Sequence, residues 1–154
     1  MPKRTSIALG LSLLLIILLI GVFNWKNSAY APTTDSGQKI IYISGKKLTV
    51  DIANTPEKQT LGLSYRKSMA EDSGMLFIFP KPTTVGFWMK DMNFALDFIW
   101  IDANGKIIGI DKDILPNTYP KTFSPPSPIK YVLEVNAGWS DRNGVRIGDE
   151  MNYK

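Results

Sequence analysis

Two carboxylates, Asp97 and Glu134, interrupt apolar, strand-like segments: Leu96-Asp97-Phe98-Ile99-Trp100 and Val132-Leu133-Glu134-Val135. A charge buried in such a setting costs several kcal/mol unless a partner offsets it. Arg66 and Lys90 are the cations expected to do so, beneath a proline-rich loop at Leu115–Pro128. A paired cluster of this kind binds a ligand cation or does general acid–base work, as two carboxylates do in glycoside hydrolysis; the plainer alternatives are that strand alternation puts both on the wet face or that they form a structural ion pair. Trp88 and Lys90 stand two residues apart, so on an extended strand they share a face. A tryptophan beside a lysine suits a sugar ring or an anionic group, whereas the plainer alternative is a core Trp with a solvated Lys. Trp88 is expected to be buried or to form the wall of the main cleft. Arg66, Trp88, Lys90, Asp97 and Glu134 are therefore the candidate ligand-binding residues, and none is assigned a catalytic role.

Other chemistries are closed off by composition. The chain has no histidine and no cysteine. That excludes a Ser-His-Asp triad, a His general base, a Cys nucleophile, disulfides, and zinc sites built on His or thiolate. Met69, Met75, Met89 and Met92 could supply thioethers to Cu(I), shielded by Trp88, but no tight Met-x-Met cluster occurs and core filling is the simpler role. The oxygens of Asp102, Asn104, Asp111 and Asp113 are too widely spaced for a Ca²⁺ loop. Neither a Gly-x-Ser-x-Gly elbow nor a glycine-rich phosphate loop is present. No cofactor and no metal are expected.

The elements that must position these residues belong to one domain with an N-terminal appendage. The chain has 154 residues and a net charge of +4. From residue 38 onward, 15 basic against 13 acidic side chains leave only +2, too little and too evenly spread for a nucleic-acid footprint. Lys3 and Arg4 precede an apolar run from Ile7 to Phe23. At 1.5 Å per residue that run spans about 25 Å, near the lower limit for a membrane helix. The leading positive charges favour a cytoplasmic N-terminus and an exported domain, and Trp25 and Tyr30 follow as interface aromatics. The rival is a signal peptide cut after Ala29-Tyr30-Ala31, which the long run and Pro32 disfavour. Residues 1–26 are thus expected to be a membrane anchor, 27–38 a flexible tether, and 39–154 an extracytoplasmic domain. The alternative localisation is secreted or periplasmic.

Within the domain, alternation predicts strands at Lys39–Ile43 and Lys47–Ile52 around a Ser44-Gly45-Lys46 turn. Thr55-Pro56-Glu57 starts a short helix that Gly62 ends. Met75–Phe79, Val85–Lys90, Phe94–Asp102, Lys106–Ile110, Lys130–Asn136 and Val145–Met151 read as further strands, with a turn at Pro80–Thr83 and a helical turn at Ser140–Asn143. The expected fold is β-rich α+β: a small antiparallel barrel or sandwich with one short helix, behind a single transmembrane helix.

Several segments occur together in order: Thr55-Pro56-Glu57, Gly62-Leu63-Ser64-Tyr65-Arg66, Gly74-Met75-Leu76-Phe77, Phe87-Trp88-Met89-Lys90, Leu96-Asp97, Asp102-Ala103-Asn104-Gly105, Tyr131-Val132-Leu133-Glu134, Ala137-Gly138 and Gly148-Asp149. Over residues 40–152 the chain resembles domain-of-unknown-function family 192, bacterial and archaeal proteins that are often exported. The resemblance implies a compact β-rich fold and no known activity. Ser64-Tyr65-Arg66 stands where members commonly carry Met-x-Arg after Gly-Leu.

The reading that follows is a membrane-tethered binding module of the cell envelope, taking a small polar molecule, a glycan or a partner protein. A carboxylate-dependent hydrolase using Asp97 or Glu134 is the first alternative, and a methionine-based Cu(I) carrier the second. Convergence of Asp97 and Glu134 in one concavity separates the enzyme from the binding module.

Overall fold

The structure is a computed structural model, and it describes residues 37–153. The anchor, the cleavage site and nearly all of the tether lie outside the described residues. Seven strands form one sheet: β1 (Gln38–Ile43), β2 (Lys46–Ala53), β3 (Ser73–Thr83), β4 (Leu96–Ile101), β5 (Ile107–Ile114), β6 (Ile129–Asn136) and β7 (Met151–Tyr153). Two short helices accompany them, α1 (Pro56–Leu61) and α2 (Trp139–Arg142). The strand order is β5-β4-β6-β3-β2-β1-β7. The sheet curls until its outer strands meet. Ile107 N donates to Asp149 O and Met151 N to Gly105 O, each at 2.8 Å, around a Lys106–Glu150 bridge. The result is a mostly β, curled half-barrel.

Pairing is antiparallel except between β2 and β3, which run parallel. This corrects the expected all-antiparallel sheet. Parallel neighbours need a crossover, and residues 54–72 with α1 supply one. Three local expectations also change. The anticipated turn at Pro80–Thr83 is the end of β3. Its ladder to β6 breaks between Ile78 and Thr83, so both prolines fall where no amide donor is required. Val85–Lys90 is not a strand. Only Phe87 pairs, with Phe123, because the segment lies over the sheet rather than within it. The last strand begins at Met151, after turns that include Gly148.

Alternation sorts the side chains onto two faces, and both are covered. The inner face gathers Ile41, Ile43, Leu48, Val50, Leu76, Ile99, Ile101, Ile107, Leu133 and Val135, with Trp139 of α2 against them. The outer face gathers Met75, Phe77, Leu96, Phe98, Trp100 and Val132, with Leu63 and Met89 from the overlying loops. Between these layers β4 is buried at all six positions. Truncating a ring as buried as Phe98 or Trp100 costs about 3–5 kcal/mol.

Asp97 points into the inner layer, since β4 pairs it with Val135. It is fully buried, and its partners are hydrogen-bond donors rather than a cation. Its Oδ1 accepts from Asp113 N at 3.0 Å and Gly138 N at 3.1 Å. Its Oδ2 accepts from Ser140 N at 3.0 Å and Ser140 Oγ at 2.7 Å. Gly138 has φ +73, and a Cβ there would lie 2.9 Å from Arg142 Nη1. A glycine is therefore what lets the chain turn into α2 with its amide aimed at Asp97. Asp97 ties β4, β5 and α2 together.

Candidate functional site

Register places Glu134 on the other face. It is paired with Met75 of β3 on one side and Phe98 of β4 on the other. Both neighbours are apolar, and the residue is 5% exposed. Gly74 lets the strands sit this close, because a Cβ there would come within 2.7 Å of Glu134 O. The carboxyl gains little in exchange for its lost water, and Oε2 has no hydrogen-bond partner among the described residues. Burial therefore pushes its pKa up to about 8, while the Arg66 charge pulls more weakly in the opposite direction. At neutral pH the group is mostly a neutral acid, able to donate.

Above Glu134 lies a cavity of about 290 Å³, lined among others by Gln59, Phe77, Phe79, Phe87, Trp88, Lys90 and Met92. Its walls come from α1, the loop after it, β3 and the segment 85–92. Each wall is fastened. Gln59 Nε2 donates to Ala53 O at 3.2 Å and Ile78 O at 2.9 Å, seating α1 on the sheet. Thr55 caps the same helix through Lys58 N at 3.4 Å. Ser64 Oγ donates to Lys90 O at 3.0 Å, and Tyr65 hydroxyl to Asp91 Oδ2 at 2.8 Å, stapling one loop to the next. Reciprocal 2.8 Å backbone bonds join Phe87 to Phe123 of the proline-rich loop. Phe87 is the aromatic hub. Its ring centroid lies 4.8 Å from that of Phe77, 5.6 Å from Trp100 and 5.8 Å from Phe98, all edge-to-face.

Three of the five candidate residues meet at this cavity: Glu134 in its depth, with Trp88 and Lys90 also lining it. Trp88 is 49% exposed and forms cleft wall rather than core. A wider, shallower groove continues from the cavity past Glu57, Tyr65 and Asp91, sharing Trp88 and Lys90. Arg66 lies alongside, paired with Asp51 at 2.7 Å. The expected pairing of Arg66 or Lys90 with Asp97 or Glu134 is thus corrected: no such ion pair exists among the described residues. Asp51 sits one strand beyond Met75 on the same face as Glu134 and takes the guanidinium first. Asp97 does not join the cavity at all. The two carboxylates occupy opposite faces of the sheet, so they cannot flank one scissile bond.

Phe77, Phe79, Phe87 and Gln59 were not among the candidates. The density of aromatics in 74–80 and 87–92 was the available signal, but it could not separate cavity wall from core. Met69, Met75, Met89 and Met92 all pack into the outer aromatic cluster, and only Met92 of these lines the cavity. Among the described residues no group of three His, Cys, Asp or Glu side chains could hold a metal ion. None of their helices is long and apolar enough to cross a membrane.

A family model, DUF192 (uncharacterized ACR), matches residues 39–153. Comparison with curated proteins gives no match. Among solved structures, a "putative transcription regulator" from Sinorhizobium meliloti 1021 is 36% identical, covering 75% of this chain and 92% of its own, with a TM-score of 0.71. A protein of unknown function from Novosphingobium aromaticivorans DSM 12444 shares the fold at 24% identity, covering 75% of this chain and 85% of its own, again with a TM-score of 0.71.

Proposed function

The chain belongs to the DUF192 family, and from that premise we propose that it is a membrane-tethered, extracytoplasmic binding module. Its ligand is a small molecule with an apolar body and a polar head, seated in the aromatic cavity above Glu134. One observation carries this reading: a buried carboxyl with an unpartnered oxygen lines a pre-formed apolar cavity. Proteins rarely leave such a group unsatisfied, and a native exception marks a functional position more often than a random one. The wall is held by hydrogen bonds on every side, so ligand binding needs little reordering. The volume lies at the lower edge of the range for small-molecule pockets, about 300–1,000 Å³, which favours a compact ligand or a single side chain of a partner.

The apolar run Ile7–Phe23 behind Lys3 and Arg4 supports the tether and the export. A domain charge of only +2 gives no support to nucleic acid as a partner. Hydrolysis by a carboxylate pair loses its geometric basis with Asp97 on the other face.

The binding reading is tested with the full chain and a panel of compact probes that share one apolar body and differ in head charge. Calorimetric titration reports occupancy in the wild type and in every variant alike. Saturable binding that is lost in both Trp88→Ala and Phe87→Ala variants supports the module. Absence of saturable binding across the panel, or binding indifferent to both substitutions, refutes it.

A further inference from the structure

We infer that the head group taken by this cavity is an anionic carboxylate, so that the ligand is a small organic acid with a compact apolar or aromatic body. This deepens the binding reading and rests on it. Of the polar side chains lining the cavity, those of Gln59, Thr60 and Ser64 already donate to backbone carbonyls, which leaves Glu134 and Lys90. Glu134 Oε2 accepts and donates nothing among the described residues, and Lys90 makes no ion pair there. A carboxylate is chemically complementary to both. It accepts the short, strong O–H···O⁻ bond that a neutral carboxylic acid donates, and it pairs with a lysine ammonium. The aromatic wall takes the apolar body.

Competing head groups fit less well. An ammonium would share the cavity with Lys90 and would have to strip the proton from Glu134, whose pKa stands at about 8. Three neighbouring acids already have partners, and Glu57 lies out along the shallower groove rather than in the cavity. Asp51 holds Arg66, Asp91 accepts from the Tyr65 hydroxyl, and Asp111 accepts from Trp100 Nε1 at 2.8 Å. A bare sugar needs many polar partners, and this wall offers few. The charged groups around Glu134 are Arg66 and Lys90 on the loops, Glu57 and Lys58 on α1, Asp51 on β2 and Asp111 on β5. Of these Arg66 is the one that perturbs its proton affinity.

Phenylacetate, phenylacetamide and phenethylamine carry one ring and three heads, and calorimetric titration of the full chain ranks them. Phenylacetate is expected to bind best. Its affinity should hold between about pH 6 and 7 and fall by about tenfold per pH unit above about 8, as the Glu134 proton leaves. Glu134→Gln keeps a neutral donor, so it should retain most of the affinity and lose that fall. Lys90→Met should weaken phenylacetate by about tenfold and leave phenylacetamide unchanged. Equal binding of the acid and the amide, or preferential binding of the amine with affinity rising with pH, overturns the anionic head while the cavity reading survives. Binding by none of the three overturns the anionic head too, and the cavity reading is then judged on the wider panel.

Discussion

Glu134→Gln should make the protein more stable, and by an amount that depends on pH. The folded chain holds the Glu134 proton with a pKa of about 8, against 4.5 for the free side chain. Folding therefore binds a proton between those values. The contribution of the protonated carboxyl is fully present below about pH 4.5, is lost progressively as pH rises, and is gone above about pH 8. At 1.36 kcal/mol per pKa unit the loss amounts to about 5 kcal/mol across the window and about 3 kcal/mol by pH 7. That is a large part of the 5–15 kcal/mol typical of a domain, roughly speaking. Glutamine has the same shape and does not titrate, so the variant should escape this loss. Urea unfolding of both proteins at pH 4.5, 6, 7 and 8.5 gives the comparison. The midpoints should nearly coincide at the acid end and separate steadily upward, with m unchanged. A separation that stays constant across the range would refute the reasoning. It would mean that Glu134 is solvated in the folded state and that its burial does not govern its ionisation.

Three further outcomes are expected. Asp97→Ala removes the acceptor for four hydrogen bonds and should destabilise by about 3–5 kcal/mol in a urea melt. Trp88→Ala should cost under about 1 kcal/mol, as befits a half-exposed residue, while Trp139→Ala, fully buried beneath α2, should cost about 3–5 kcal/mol in the same melts. Gly74→Ala should push β3 from β6 at Glu134 and lower the melting temperature by several degrees, with about 1–3 kcal/mol of overpacking; an unchanged melt would show that the strands yield freely.

Much of the fold was legible because its signals are local. Thr55 and Pro56 start α1, Gly62 ends it, and the β1–β2 hairpin turns at Ser44 and Gly45. The parallel pairing of β2 and β3 was not legible, since a six-residue helix is shorter than the crossovers that announce parallel strands. Phe87-Trp88-Met89-Lys90 looks like a strand by composition, yet no neighbour ladders with it. Its alternation reflects a segment draped over one face, with Met89 turned in and Trp88 out. The apolar settings of Asp97 and Glu134 left burial and the wet face both open, and the fold buries both. What sequence could not give was their partners. Asp97 is satisfied by amides 16, 41 and 43 residues away, and Glu134 lies one position earlier in the pleat than Val135, which is enough to send it to the opposite layer. Arg66 was claimed by Asp51, which stands between Val50 and Ile52 on β2 and interrupts an apolar strand just as Asp97 and Glu134 do, but was not among the candidates.

The pairing of β1 with β7, in which Ile41 faces Tyr153, brings the start and the finish of the domain to one corner of the molecule. A circular permutant follows naturally. Tyr153 joined to Gln38 by a short glycine-serine linker, with new ends cut at the exposed Ala103-Asn104 turn, would keep every strand neighbour. Strand β7 lies at the edge of the sheet and follows the other six in the chain, so β1 has an open flank until β7 is made. In the permutant β7 precedes β1 along the chain. Their long-range contact becomes a hairpin, and the order in which the sheet closes is rewritten without changing a single side chain of the cavity.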